Sequence, residues 1–566
     1  MRVVGRIALV SILAFAHAAQ AQIRLEGVDL SDGAEKQETQ EGSAGGLGLD
    51  LREEAGSTAM DEVEARMRAA TRLFEERNYE AAALGFWEIL QDPKAASAHS
   101  RAEYMLGKSL YRLGMYHSAL AIFKRVLARG EADRFFATSL EWLFFIAHKT
   151  TNQSVVLDEI ARFAGVAFPE RYQDEYRYLL AKYNFARGRA LIDAQEVEGG
   201  RTTAYADAAR QSLEEARRLV AMVPAGSPFY PKAKYLEGLA LYATGKPALA
   251  VESFKDVVRA TNPRREGTYY DPKLRELAFL QLARIHYEHR QNRYANFYYS
   301  RIVRGSDQWL TALFESAWAY FRLGEDEKAL GNLLTLRSPF FRDEYFPEAM
   351  LLEAVIYYEN CRYSEARRAV DLFLERYGPL YRALTKLLER ELPSPQAYWD
   401  ALAGLGEGEE NELLARIVRM ALSDQELRHL SDSIAELDSE VKAIAQRREM
   451  FRFSGLARHL VAELQQQRQA LVVKAGHHTK RKLEREAREL GQLNYRALAI
   501  KAEISSREKE ALQASLEKGE SVTVVRPYRY STAVDDEHVY WPFEGEFWRD
   551  ELGSYEYTLT RGCKER

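Results

Sequence analysis

His286 and His289 stand three residues apart in a stretch of helical periodicity, a spacing at which one helix face can offer two imidazoles to a metal ion. No third ligand falls nearby, so the pair reads as ordinary helix residues and no metal is expected. His477 and His478, followed by Lys480, Arg481 and Lys482, would make a cationic turn able to seek anions; the plainer reading is a solvated turn. No Gly-rich loop ends in Gly-Lys-Ser or Gly-Lys-Thr, and no Gly-x-Ser-x-Gly elbow or Cys/His pairing supplies a nucleophile. With 84 acidic residues, a pair of neighbouring carboxylates is easily coincidental. No catalytic residue, cofactor or enzymatic activity is therefore expected. Six aromatics remain, Phe74, Tyr111, Tyr242, Tyr287, Phe321 and Tyr358, each in a similar local context. Such side chains offer large contact area at little cost in rotamer entropy, which suits recognition as well as packing.

The elements that carry this ladder repeat. The stretch "YMLGKSLYRLGMYHSALAIFKRVL" from Tyr104 aligns without a gap on "YLEGLALYATGKPALAVESFKDVV" from Tyr235, matching Gly107 to Gly238, Gly114 to Gly245, Ala119 to Ala250 and Phe123 to Phe254. Four more segments fit the same frame, with small residues Ala70, Ala283, Ala317 or Ala354 on a first helix and Ala82, Ala295, Ala329 or Ala366 on a second. Within every pair the two are 12 residues apart, and successive first-helix anchors are separated by 37, 131, 45, 34 and 37 residues. Those are the spacings of stacked helical hairpins, with degenerate units hidden in the long gap. Residues 178–194 and 205–220 there resemble a first and a second helix split by an insertion. A small residue on each helix lets two backbones approach, and glycine after the first helix accepts a left-handed turn.

The order small residue, aromatic, glycine, aromatic, alanine, phenylalanine resembles the tetratricopeptide repeat (TPR) family over about residues 60–390. Arg77, Arg290 and Cys361 depart from it, standing where that family often has the turn glycine. The resemblance implies that the first helices line a concave face, so that the six aromatics would point towards a groove receiving an extended or helical peptide.

After the repeats the period changes. Leu427, Leu430, Ile434, Leu437, Val441 and Ile444 step by three and four, the seam of a coiled coil, behind the capping sequence Ser423-Asp-Gln-Glu426. Leu456, Leu460, Leu464 and Leu471 continue it, and Leu483, Leu490, Ala497, Ile504 and Ala511 recur at sevens. An antiparallel hairpin turning at Ala475–His478 is expected, or a three-helix bundle if the chain breaks at "FRFSG". The end of the chain places Tyr540, Trp541, Phe543, Phe547 and Trp548 within nine residues, a docking segment with little regular structure.

The fold expected is all-α: a TPR-like solenoid, a coiled-coil helical hairpin and an irregular aromatic tail. The domains run 1–21 signal peptide, 22–58 acidic linker, 59–392 solenoid, 393–422 helical connector, 423–520 hairpin and 521–566 tail. Arg2 and Arg6, the apolar run Ile7–Ala16 and Ala19-Gln-Ala21 follow the order of an export signal, and that run is about half the roughly 20 residues a membrane span needs. Cleavage after Ala21 would lower the formal charge from −5 to −7, which argues against nucleic acid as a partner. Residues 22–58 hold nine acidic against three basic side chains, seven glycines and no aromatic, too little apolar surface to offset ordering. Cys361 and Cys563, the only cysteines, can pair in an oxidising compartment.

A periplasmic location, peripheral to a membrane and without a transmembrane segment in the mature chain, follows. Protein partners are expected among envelope or outer-membrane proteins, with membrane or cell-wall contact through the hairpin tip. The layout is also similar to periplasmic repeat proteins of envelope-spanning machines in delta-proteobacteria, including the gliding-motility apparatus. Two alternatives are an outer-membrane protein assembly factor and a peptidoglycan-acting enzyme on a helical-repeat platform, the latter short of room for a catalytic domain in a 46-residue tail.

Overall fold

A computed structural model describes residues 58–517 and 545–559, apart from 151–153, 164, 167, 169, 198–202, 266, 391 and 406–423. Among the described residues the regular structure is helical, with no strand, and 545–559 are irregular. In order the helices are α1 Thr58–Glu75, α2 Tyr79–Gln91, α3 His99–Arg112, α4 Tyr116–Leu127, α5 Phe136–Ala147, α6 Ser154–Arg162, α7 Gln173–Val197, α8 Thr203–Ala221, α9 Tyr230–Ala243 and α10 Pro247–Ala260. They continue as α11 Pro272–Glu288, α12 Asn292–Tyr299, α13 Trp309–Leu323, α14 Asp326–Leu336, α15 Pro347–Glu359, α16 Tyr363–Glu389, α17 Pro395–Leu405, α18 Gln425–Ala445, α19 Glu449–Arg452 and α20 Gly455–Glu517. None of them is long and apolar enough to cross a membrane. The chain divides into two compact units, one made of the described residues of 29–253 and 425–478, the other of those of 254–424 and 479–566.

The pairing rule read from the sequence has a direct physical expression. Ala82, Ala119, Ala250, Ala283, Ala295, Ala317, Ala329, Ala354 and Ala366 are fully buried. At Gly107 a Cβ would sit 2.8 Å from Phe123 Cζ, closer than carbon atoms tolerate, and Phe123 is itself fully buried. Gly107→Leu is therefore expected to overpack the α3–α4 contact and cost roughly 1–3 kcal/mol, read by thermal unfolding.

All six regular hairpins close with one turn. Arg77, Gly114, Gly245, Arg290, Gly324 and Cys361 have φ between 57° and 77°. In each, the following residue donates its N–H to a carbonyl five residues back at 2.8–3.0 Å. The left-handed residue donates to the carbonyl of the ladder aromatic at 2.9–3.1 Å. This double bond pattern satisfies the orphan carbonyls at the end of the first helix, and its stability is what lets arginine and cysteine take a conformation that glycine adopts more cheaply. The long gap between the second and third regular units holds two further hairpins, α5–α6 and α7–α8. In the second of these Gly188 again marks the close approach, a Cβ there falling 2.9 Å from Leu213 Cγ.

Beyond the repeats the expected turn does not form. Ala475–His478 lie inside α20, a single 63-residue helix. The reversal falls instead at 446–454, where Arg448 leaves helical geometry (φ −53°, ψ 151°). Gly476 inside a helix costs only about 1 kcal/mol, and burial of Val472, Ala475 and Thr479 on either side outweighs it. In the first unit α18 runs antiparallel to α20 up to His478, with Arg468 on Asp438 (2.7 Å) and His478 on Glu426 (3.0 Å). Leu427, Leu430, Ile434, Leu437 and Ile444 are buried with Leu456, Leu460 and Leu464. A helical hairpin is thus present, with its turn about 25 residues earlier than expected from the heptads.

In that unit α18 also supplies what α4 lacks. No side chain of its own caps the N-terminus of α4, and Glu440 accepts from the backbone N–H groups of His117 (3.0 Å) and Ser118 (2.9 Å). Arg447 donates to the Leu113 carbonyl (2.7 Å) and pairs with Glu80, and His459 stacks on Trp87. Burial raises the Glu440 carboxyl above its ordinary value, against the hydrogen bonds that favour the ion. A group raised on folding stabilises most at acidic pH and loses that contribution as pH climbs through its folded value. Glu440→Ala is expected to cost about 1–2 kcal/mol as a lost cap, while Glu440→Gln, which keeps an acceptor without the charge, should cost less and flatten the pH dependence of unfolding.

Candidate functional site

The aromatic ladder is where the repeats bring a single side-chain type to one recurring place, the last turn of each first helix. Phe74, Tyr111 and Tyr242 belong to the first unit, and Tyr287, Phe321 and Tyr358 to the second. Tyr287 is buried and the other five are half-buried. Three of the rings meet an aromatic at the start of their own second helix: Phe74 on Tyr79 and Tyr111 on Tyr116, both at 5.2 Å and edge to face, and Tyr358 on Tyr363 at 5.7 Å. Cations cover two of the six, with Lys108 5.4 Å from the Phe74 ring and Arg322 3.9 Å from that of Tyr287. Tyr111 also meets Trp142 (5.0 Å), and Phe321 meets Trp318 (6.1 Å).

Tyr358 has a further role. Its hydroxyl donates to Glu503 (2.9 Å) and accepts from Arg507 (3.2 Å), both on α20. Burial, with the Glu503 carboxylate, pushes it up to about 12 against the opposing pull of Arg507. Around it Lys501 pairs with Asp371 (2.7 Å), and Arg367 pairs with Glu508. Gly491 lies where a Cβ would come 3.2 Å from Tyr381. Within the second unit, the seam Leu483, Leu490, Ala497 and Ile504 is buried in this packing of α20 on the last repeat; Ala511 falls among residues whose side chains are not described.

The cationic triplet is not a tip. Lys480, Arg481 and Lys482 lie within α20, and Lys482 is buried, its ammonium 2.9 Å from Glu486. The histidine pair does not converge: His286 Nδ1 meets Gln291 Oε1 at 2.5 Å while its ring stacks on Tyr298, and His289 Nδ1 meets the Ile285 carbonyl at 2.8 Å.

Of the tail aromatics, Tyr540, Trp541 and Phe543 lie outside the described residues. Phe547 is half-buried, 6.3 Å from Tyr555, and Trp548 is 54% exposed. What seats residues 545–559 is different and was not singled out in the sequence. Leu552 is buried, Gly553 N–H donates to Thr335 Oγ1 (2.9 Å), and Tyr557 and Leu559 donate to the backbone and side chain of Glu327 (3.1 and 2.8 Å). Arg304 donates to the carbonyls of Arg549 and Asp550. The tail backbone crosses α14 at Gly331, where a Cβ would lie 1.7 Å from the Tyr555 carbonyl oxygen. A glycine inside α14 was the one available signal, since it costs helix stability unless something passes close. Cys361 is disulfide-bonded, and the only other cysteine in the chain, Cys563, lies outside the described residues.

The α3–α4 hairpin, with Gly107 against Phe123 and the left-handed Gly114, carries the repeat signature in full. Residues 101–129 match the tetratricopeptide repeat family. The other five regular hairpins share its turn. Among solved structures, the chain is similar to the TPR domain of P58(IPK), at 14% identity over 72% of this chain and 98% of that one, with a TM-score of 0.19. Yeast Tom70 matches at 13% identity over 72% and 96%, TM-score 0.20, and the APC/C hetero-tetramer Cut9-Hcn1 at 13% over 78% and 97%, TM-score 0.18. No curated protein sequence matches the chain.

Proposed function

We propose that the chain is an exported scaffold that holds protein partners in the bacterial cell envelope. The observation that carries the reading is the series of TPR-type hairpins, because stacked hairpins expose extended side-chain surfaces and each hairpin contributes similar chemistry at a regular interval. The export signal at residues 1–21 supports a periplasmic site of action, and the layout of signal, linker, repeats and tail supports service in an envelope machine, of the gliding-motility or outer-membrane-associated kind. Recognition would use ladder aromatics at the ends of the first helices, Tyr242 and Phe321 among them. The test is affinity capture from envelope extracts with the full mature chain and with Tyr242→Ala/Phe321→Ala. A discrete protein set retained by the first and lost by the second, at equal melting temperature, is expected. No retained protein, or release of dye from purified cell walls that one Asp or Glu substitution abolishes, would overturn the scaffold reading.

Peripheral membrane contact is favoured by the reversal at 446–454, where Met450 and Phe453 are 70% and 69% exposed beside Arg448 and Arg452. Cosedimentation with phosphatidylglycerol vesicles should fall on Met450→Ser/Phe453→Ser.

A further inference from the structure

In the second unit the tail runs antiparallel to α14, with Gly553 at Thr335, Tyr555 at Gly331, and Tyr557 and Leu559 at Glu327. Its described path therefore ends beside the first turn of α14. Asp326, next to Glu327, accepts from Asn360 Nδ2 at 2.8 Å, and Asn360 precedes Cys361 at the left-handed turn of the α15–α16 hairpin. Leu559 is thus seated one hairpin away from a cysteine. Cys361 is disulfide-bonded and the chain holds one other cysteine, Cys563, so the two are partners. The four residues from Leu559 to Cys563 reach up to about 13 Å when extended, and packed helices lie about 8–10 Å apart, so the bridge closes with the seat in place.

The seat itself is thin. Leu552 is the only buried residue of 545–559, and Trp548 is 54% exposed. The rest of the hold is a short set of hydrogen bonds to the tail backbone, each worth little net against water. With the bridge broken, the segment is tethered to its seat only through the 27 residues between Glu517 and Gly545; with it made, the tether is the four-residue lead to Cys563. Effective concentration falls roughly as the −3/2 power of tether length, so the bridge favours the seated state by about tenfold or more. Cys361 keeps part of its surface in solvent, which gives an attacking thiolate access.

We infer that the tail is a redox-controlled strap: the Cys361–Cys563 bond holds residues 545–559 across α14, and reduction by a dithiol releases them. One thiolate of the dithiol bonds to a sulfur of the bridge, and the other sulfur leaves and takes a proton. The second thiol then displaces the remaining cysteine, so two electrons and two protons pass to the chain and the dithiol ends as a disulfide. The reverse exchange, with an oxidised dithiol as acceptor, closes the strap. The reaction class that makes or breaks this contact is therefore thiol–disulfide exchange, and release uncovers Gly331 and Thr335 without unwinding α14.

The test is hydrogen exchange read by mass spectrometry on the full mature chain, comparing the oxidised protein, the protein treated with dithiothreitol, and Cys563→Ser. The oxidised chain is expected to yield a peptide pair joined through Cys361 and Cys563. Reduction and Cys563→Ser should each speed exchange of the Gly553, Tyr557 and Leu559 amides at least tenfold, while peptides from 309–336 keep their rates. Oxidised glutathione should restore slow exchange in the reduced parent and not in the variant. Unchanged tail exchange after reduction, a bond that dithiothreitol leaves intact in the folded chain, or an equal loss of protection in 309–336 overturns the inference, the last because the bond would then brace the fold instead of holding a strap. Partner capture is scored separately, since the strap does not presuppose the scaffold reading.

Discussion

Lys482→Met is expected to destabilise the second unit by about 3–5 kcal/mol, far more than any other change in its cationic triplet. The side chains of Lys482 and Glu486 are 7% and 2% exposed and meet at 2.9 Å, so removing the ammonium strands a carboxylate away from water. Burial, and next the Glu486 charge, already push the neighbouring Tyr345 hydroxyl up, so the phenol stays neutral beside the stranded carboxylate and supplies no counter-charge. Replacing both partners, as Lys482→Met/Glu486→Leu, should recover most of the loss, because the pair's attraction does little more than offset its own desolvation. Lys480→Ala, at an exposed position, should fall within about 0.5 kcal/mol of the parent. Chemical denaturation of the four proteins checks the set. A loss below about 1 kcal/mol for the single Lys482 variant would mean that water reaches the pair.

Gly331→Ala should change sign with the tail. In the full chain the new Cβ would collide with the Tyr555 carbonyl oxygen, so the tail must shift or leave, at a cost of roughly 1–3 kcal/mol. In a chain ending after Ser521 nothing crosses α14, and the same substitution should gain roughly 0.5–1 kcal/mol, the ordinary preference of a helix interior for alanine. Thermal unfolding of the four combinations reads both values, and limited proteolysis reports whether the segment about Leu552 is released. Gly553→Ala offers a check from the other side, since Gly553 has φ 86° and a Cβ there would stand 2.7 Å from Trp309. Equal effects of Gly331→Ala in long and short chains would show that the tail does not occupy this seat.

The sequence by itself determined the hairpin frame. Small residues 12 apart, an aromatic four after the first of them and a turn position three further on describe contacts within some 25 residues, and local geometry leaves them few other solutions. That is why Arg77, Arg290 and Cys361 could be placed at the turn although none is glycine: the turn's hydrogen bonds, not the residue, hold the conformation. The heptads were legible as buried stripes for the same reason, and the stripes from Leu427 to Ile504 are buried apart from half-buried Val441 and Leu471.

Tertiary structure alone decided what those stripes touch. Burial of a leucine stripe is indifferent to whether the partner is another heptad or a repeat, so periodicity could not tell a turn at Ala475–His478 from a continuous α20 packed on the last repeat. Nor could it pair residues more than a hundred positions apart, as Glu440 with the N-terminus of α4, Glu503 with Tyr358 or Gly553 with Thr335 and Trp309 of the α13–α14 hairpin. The tail's five aromatics drew attention by their size, yet its described seat is set by a leucine, two glycines and backbone hydrogen bonds. Close approach of two backbones depends on the absence of a side chain, and an absence acquires meaning only when the fold brings its neighbour to it.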